Sequence, residues 1–313
     1  MTHFSQDSFA RKTIPPAASK TRCSHTIVIP TKDRPRLLAR ALASAQQERG
    51  QTGEIVVIDD HSADPVTCAG EGMRVIRLTD GQSGVAAARN AGINAARGCV
   101  IFFLDDDDWF VPGYCERVLS GAAQSHDYGF SSYLEVRGGH PERAGKVRFA
   151  EGPIPRRAPL RKQLCGFGMG FWIRRSVADE IGPVDHDLTI NEDTDFVCRL
   201  ILANKSAWYS ATPGVTILRD ESARADLGHL TSRTSSQERA RCMRLLCERY
   251  PNLLPHLGKS YLRHCVKAGR KQDAMSFLGG IKDFRLRLNL TIFTCMKLVA
   301  RCFRVQQPAP RAR

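Results

Sequence analysis

Several signatures that would assign a chain of 313 residues to a common class are missing here. No stretch of about 18 uncharged apolar residues occurs, which predicts no membrane-spanning helix. No G-x-G-x-x-G follows the first predicted strand and no G-x-x-x-x-G-K-[ST] occurs anywhere, which argues against a dinucleotide dehydrogenase or a P-loop NTPase; any phosphate must then be held by metal. No C-x-x-C pair is present, and 11 cysteines cannot all pair within one chain. They read as reduced thiols and small buried hydrophobes in a reducing compartment, with Cys242 and Cys247, or Cys295 and Cys302, lacking zinc-site spacing. Residues 1–23 have no apolar core and carry Pro15 and Pro16, so a disordered arm is expected there rather than a secretory leader. Acid is scarce at one end only: residues 230–313 hold 4 Asp and Glu against 18 Lys and Arg, whereas residues 1–229 hold 28 of each. The net charge of +14 therefore sits in the tail, a pattern that attracts anionic lipid or nucleic acid.

What is present is ordinary globular composition, 42% hydrophobic and 25% charged, with one unusual junction. Val100, Ile101, Phe102, Phe103 and Leu104 form an apolar run of strand length that ends in Asp105, Asp106, Asp107 and Asp108. Four adjacent carboxylates repel one another at neutral pH. A hard cation such as Mg²⁺ or Mn²⁺ relieves that repulsion, and a run at a strand's end lets several oxygens converge on it. A solvated acidic turn is the other reading of the same residues.

The stretches around this junction alternate between two periodicities. Thr26 to Pro30 is a β-branched run stopped by proline; Leu37, Leu38, Ala41, Leu42 and Ala45 then recur at helical spacing after Pro35. Glu54 to Ile58 repeats the strand signature and runs into Asp59, Asp60, His61 and Ser62. Arg74 to Leu78 predicts a third strand, Ser83 to Ala96 an Ala-rich helix, and Cys99 to Leu104 a fourth strand. Such alternation predicts an α/β fold with a mostly parallel sheet, helices on both faces, and ligands outside the carboxyl ends of the strands. Asp33, Asp60 and Asp105 to Asp108 all fall at those ends.

Further on, a helix is expected after Pro112 to about Ala123 and a strand from Tyr128 to Val136. Residues 137–164 are rich in Gly, Pro and Arg and read as a loop that covers a ligand or as a plain surface insertion. Gly166 to Ile173 alternates glycine with large apolar residues, the pattern of a strand whose backbone packs close to something. Arg174 to Ile181 reads as helix. Residues 191–202 form an amphipathic helix with Glu192, Asp193 and Asp195 in its first turn, where acid favours the helix dipole and can also face a reactive hydroxyl.

Taken in order, Val28-Ile29-Pro30-Thr31-Lys32-Asp33-Arg34, Ile55-Val56-Val57-Ile58-Asp59-Asp60-His61-Ser62, Gly84 to Gly92 around Arg89, Phe103 to Asp108, and Glu192-Asp193 before Phe196 and Arg199-Leu200 resemble glycosyltransferase family 2. The resemblance covers roughly residues 25–220 and implies the GT-A fold, a Rossmann-like mostly parallel sheet flanked by helices. It also implies an inverting hexosyl transfer from a nucleotide-sugar donor to a hydroxyl on a glycan or lipid-linked acceptor, in bacterial surface polysaccharide synthesis. Pro30, Thr31, Asp33, Arg34, Asp60, Arg89, Asp105 and Asp106 would bind the nucleotide sugar, Asp107 would hold Mn²⁺ or Mg²⁺, and Asp193 would be the general base. Two positions depart from a unique alignment. Asp106 and Asp108 leave the register of metal contact open by one residue, and Asp195 competes with Asp193.

The expected domains are a glycosyltransferase unit over 24–229 and a helical basic region over 230–313. Within the latter, Ile281, Phe284, Leu288, Ile292, Val299 and Phe303 share one face, with Arg285 intruding. That pattern fits a helix lying on an anionic membrane over residues 281–304 and equally a helix packed on the catalytic unit with a basic back. The implied location is cytoplasmic, peripheral to the inner face of the cell membrane. His229 is the one histidine between the acidic helix and the tail, too isolated to assign as a metal ligand. Two non-enzymatic readings compete: a non-catalytic GT-A-like scaffold, and a protein binding nucleic acid or an anionic surface through the tail. Nucleic acid is disfavoured, since the tail lacks regularly spaced aromatics and any zinc pattern. A hydrolase with paired carboxylates leaves the strand-end constellation unexplained.

Overall fold

The computed structural model describes residues 24–67, 70–137, 143–219 and 234–305. The arm over 1–23, His229 and the boundary between the two expected units lie outside them. The order of elements is β1 (His25–Thr31), α1 (Pro35–Arg49), β2 (Glu54–Asp59), β3 (Met73–Arg77), α2 (Val85–Ala95), β4 (Val100–Phe103), β5 (Trp109–Phe110) and α3 (Tyr114–Arg117). There follow a π turn (Val118–Ala122), α4 (Ala123–Ser125), β6 (Tyr128–Val136), β7 (Arg143–Ala144), β8 (Gly152–Pro153), α5 (Leu160–Gln163), β9 (Trp172–Arg174), α6 (Arg175–Ile181), α7 (Glu192–Leu202) and β10 (Ala207–Leu218). The C-terminal helices are α8 (Ser236–Arg249), α9 (Leu254–Ala268), α10 (Lys271–Gly279) and α11 (Phe284–Val305).

One sheet runs in the order β3-β2-β1-β4-β9-β6-β10-β5. Its first four strands are parallel, so β2, β1 and β4 all deliver their carboxyl ends to the same edge. Antiparallel β9 then joins this half to the parallel pair β6 and β10. Helices on both faces require strands that are apolar on both sides, and β1 shows this by period two. Val28 joins Val56, Ile101, Phe103, Ile93 of α2 and Phe196 of α7 in one core, while Ile27 and Ile29 join Ile55, Val57, Phe102, Leu38 of α1 and Tyr114 in the other. Each fully buried Ile or Val there contributes about 1.5–3 kcal/mol. Gly92 is demanded by this packing, since a Cβ on it would lie 2.2 Å from Val28 Cγ1.

Three local expectations change. Pro30 does not end β1: with only its donor missing, it keeps register opposite Ile58 and the strand runs to Thr31. Gly166 to Gly170 is a turn rather than a strand, closed by Met169 N–H donating to Gly166 C=O, and only Trp172–Arg174 pairs in the sheet. The insertion over 137–164 contributes β7 and β8 to the sheet edge.

The C-terminal helices build a third core from Cys242, Leu246, Leu257, Leu262, Leu278 and Leu290, closed by Leu188, Ile190 and Cys198 from the sheet domain. Ser235 starts α8 as an N-cap, its Oγ accepting from Glu238 N–H at 3.1 Å. No helix of the described residues is long and apolar enough to cross a membrane. The cysteines at 99, 115, 165, 198, 242, 247, 265 and 295 are free.

Candidate active site at the strand ends

The end of β1 turns on Asp33, whose φ of 55° is in the left-handed region. Its backbone N–H donates to Ser62 Oγ (2.9 Å), and its carboxylate accepts from Ala63 N–H (2.7 Å), tying the loops after β1 and β2 together. Asp59 braces the second loop from beneath. Burial pushes its carboxyl up, but hydrogen bonds from Ser62 and Val66 and the pair with Arg77 outweigh this and hold it below the ordinary range. The next residue, Asp60, accepts from Gly84 N–H at the start of α2 (3.0 Å) and lies 3.2 Å from His61 Nδ1 and 3.9 Å from Lys32 Nζ. Thr31, Asp33 and Asp60 thus lie together where β1 and β2 end, Asp60 N–H donating to Thr31 C=O (2.9 Å), with Pro30 one residue back in β1.

The four aspartates after β4 separate into two roles. Asp106 turns back under β1, accepting from Thr31 Oγ1 (2.8 Å) and from Arg34 Nη1 (2.9 Å), and burial raises its carboxyl to about 6. Thr31, Arg34 and Asp106, all three expected at the nucleotide sugar, are thus joined to one another beside the loop after β1. Asp105, Asp107 and Asp108 converge instead, with one carboxylate oxygen of each within 4.8 Å of the other two. Asp107 and Asp108 are buried, and Leu218 N–H donates to Asp108 Oδ1 (3.1 Å). Burial, then the charges of Asp107 and Asp105, push the Asp108 carboxyl well up. Arg40 fixes the turn by donating to Asp107 C=O at 2.8 Å while stacking 3.9 Å over Trp109. Three close hard oxygen donors fit a small divalent cation. Asp108 is the member that residue order alone left undecided.

Arg89 is buried on α2 and joins the acid cluster to α7: Nη2 donates to Asp105 Oδ1 (3.1 Å), Nη1 pairs with Glu192 Oε1, and the guanidinium lies 4.6 Å over the Phe167 ring. It therefore organises carboxylates, and Glu192, unassigned from sequence beyond its place in the acidic turn, is its partner. Asp193 follows at the start of α7. Its Oδ1 accepts from Thr194 N–H (2.6 Å), and burial, reinforced by the Glu192 charge, raises its carboxyl to about 7. Asp195 points the other way, fully buried, accepting from Arg199 Nε (2.9 Å), Arg249 Nη1 (2.6 Å) and Tyr250 Oη–H (2.6 Å). It latches the C-terminal helices to the back of α7.

Between the acid cluster and α7 lies the glycine turn. A Cβ on Gly168 would stand 2.5 Å from Asp105 Oδ2 and 3.4 Å from Asp108 Oδ2, and one on Gly166 would stand 3.0 Å from Asp193 Oδ2. One bare backbone segment thus lies against Asp105 and Asp108 of the converging cluster and against Asp193 of α7. The alternation of glycine signalled a close approach; what it approaches is a set of carboxylates.

This fold and strand-end site define a GT-A glycosyltransferase architecture. The chain superposes on S. aureus TarS 1–349 in complex with UDP-GlcNAc with a TM-score of 0.63, covering 92% of this chain and 93% of that one at 14% identity, a likeness of fold. The sequence profile of Glycosyl transferase family 2 matches residues 26–182, and the chain belongs to that family. It is similar to an uncharacterized glycosyltransferase of Haemophilus influenzae, 26% identical over 222 residues that cover 67% of this chain and 72% of the relative. It is 30% identical over 185 residues to the putative glycosyltransferase EpsH of Bacillus subtilis, and 31% over 195 residues to the succinoglycan biosynthesis protein ExoU of Rhizobium meliloti. The aligned parts cover 54% of EpsH and 56% of ExoU, just over half of each.

Proposed function

We propose that this protein transfers a hexose from a nucleoside-diphosphate sugar to a hydroxyl of a glycan or lipid-linked acceptor, with inversion, in the synthesis of a bacterial surface polysaccharide. The observation that carries this is the glycine turn, which lies against Asp105 and Asp108 of the three converging carboxylates on one side and against Asp193, its carboxyl raised to about 7, on the other. Family membership, the succinoglycan role in the name of one relative and UDP-GlcNAc in TarS support the donor class and the pathway class.

In this reading Asp60 and the loop after β1 hold the nucleoside, and Asp105, Asp107 and Asp108 hold Mn²⁺ or Mg²⁺. The ion, when bound, neutralises the departing diphosphate. Asp193 accepts the proton of the acceptor hydroxyl as that oxygen attacks the anomeric carbon. A carboxyl titrating near neutral pH is well matched to that task. One displacement on one face gives inversion. Glu192 and Arg89 hold Asp193's helix turn against Asp105, and Asp195 anchors that turn from behind. The site acts in the cytoplasm, where nucleotide sugars are made.

The test is incubation with a panel of nucleotide sugars, Mn²⁺ and candidate glycan acceptors, following release of nucleoside diphosphate. Release dependent on metal and on one donor supports the reading. Absence of release across the panel, with no donor binding, favours the non-catalytic scaffold.

A further inference from the structure

The helix α11 packs on the C-terminal core through Leu290, fully buried, and Thr294, at 5% exposure. Its opposite face is apolar as well. Phe284 (65% exposed), Leu288 (49%), Ile292 (53%), Met296 (66%) and Val299 (55%) fall within about 120° of arc at 100° per residue. They are five of the eight large apolar side chains that stand exposed among the described residues, so this is a concentrated stripe and not the usual scatter. Ile281, which the sequence pattern put on the same face, is buried at 6% and belongs to the core. The stripe therefore begins at Phe284, about one turn later than the periodicity implied.

We propose that this face of α11 seats the protein on an anionic lipid bilayer. The charge around it selects that occupant. Residues 234–305 hold 15 Lys and Arg against 4 Asp and Glu, and Lys282 and Arg285 are exposed at the end of the helix where the stripe begins. Arg285 stands within the apolar arc at its first turn, where a long side chain lifts its charge to the headgroup level while its stem stays against apolar surface. Arg287 lies with its guanidinium 5.9 Å over the Phe284 ring, at the border of the stripe. An apolar stripe bordered by cations is the arrangement that inserts into the boundary between headgroups and acyl chains and gains from lipid phosphates. A second copy of the chain suits it less, because face-to-face pairing would bring two basic surfaces together. The inference does not depend on which carboxylate is the catalytic base.

The experiment is flotation of the full chain with phosphatidylcholine vesicles, with and without phosphatidylglycerol, at ~0.1 M and ~0.5 M salt. The expected result is binding that requires phosphatidylglycerol and weakens at high salt. The double variant Leu288→Glu, Ile292→Glu should lower vesicle binding by about tenfold or more, since two apolar contacts are replaced by charge. Its melting temperature and its nucleoside diphosphate release should match the parent, because both side chains are exposed. A second variant, Arg285→Glu with Arg287→Glu, keeps the stripe and should abolish the preference for phosphatidylglycerol. No binding to either vesicle overturns the proposal, as does binding that both variants leave unchanged. A parent dimer in light scattering that Leu288→Glu, Ile292→Glu dissociates, without vesicle binding, reassigns the face to a contact between copies and also overturns it.

Discussion

Replacing Gly168 by alanine should separate the fold from the donor site. The added Cβ would meet Asp105 Oδ2 at 2.5 Å, the far end of a side chain that is 36% exposed and free to swing outward. The movement would break the Asp105–Arg89 contact, one of two that Arg89 makes at this junction, at a cost of about 1 kcal/mol or less for a partly solvated pair. Reduced freedom of the unfolded chain offsets this by roughly 0.4–1 kcal/mol. The melting temperature should therefore shift by no more than about 4 °C. Affinity for Mn²⁺, and for donor in its presence, should fall by about 10- to 100-fold or more, because a carboxylate of the cluster leaves its place. Gly92→Ala is the matched control: its Cβ would stand 2.2 Å from Val28 Cγ1 in the core, and overpacking there costs about 1–3 kcal/mol while leaving the strand-end carboxylates in place. Calorimetric titration of metal and donor, beside thermal melts, reads both quantities. Undiminished metal and donor affinity in Gly168→Ala would refute the argument that the glycine turn sets the carboxylates.

Asp195→Asn should cost about 2–4 kcal/mol in urea unfolding, because Arg199, Arg249 and Tyr250 lose a buried charged partner, while turnover per folded molecule changes little. The raised carboxyl of Asp193 sets two pH trends. As a base it must be ionised, so the rate should climb with pH and level off above about 7. For stability the sign is opposite: the folded state holds the proton more tightly than the unfolded state, whose carboxyl titrates near 3.8, so this group's contribution is complete below about 4 and is lost as pH rises to about 7. Asp193→Asn should flatten both trends, measured by rate profiles and by melts across pH. Excess chelator should reduce transfer to background, and Mn²⁺ or Mg²⁺ should restore it.

Three strands of the parallel half, β1, β2 and β4, could be read from residue order because they are buried on both faces, so Ile27 to Ile29, Ile55 to Ile58 and Val100 to Phe103 show as continuous apolar runs. The start of α7 was readable from its crowd of acid for the same local reason. What could not be read was direction. Asp105, Asp106, Asp107 and Asp108 are adjacent in one turn, and only the folded chain shows that Asp106 turns back to Thr31 and Arg34 while the other three converge. Asp195 competed with Asp193 because its partners, Arg249 and Tyr250, lie 54 and 55 residues away, beyond any periodicity. Arg89 sat in the expected motif, but its burial between Asp105 and Glu192 is a tertiary fact. The glycines at 166, 168 and 170 mimic the period of a strand, and the carboxylates that exclude a side chain at two of them come from β4's end and from α7.

The most direct measurement of the central claim compares donor binding with turnover in Asp193→Asn. The substitution keeps the size of the side chain and its hydrogen bond to Thr194 N–H but cannot accept a proton. Metal and nucleotide sugar should bind as in the parent, while transfer to the acceptor falls by roughly 10² to 10⁴-fold, the span that general-base catalysis supplies. Near-normal turnover in Asp193→Asn would contradict the account, and loss of turnover in Asp195→Asn with the fold intact would move the base to the other side of α7.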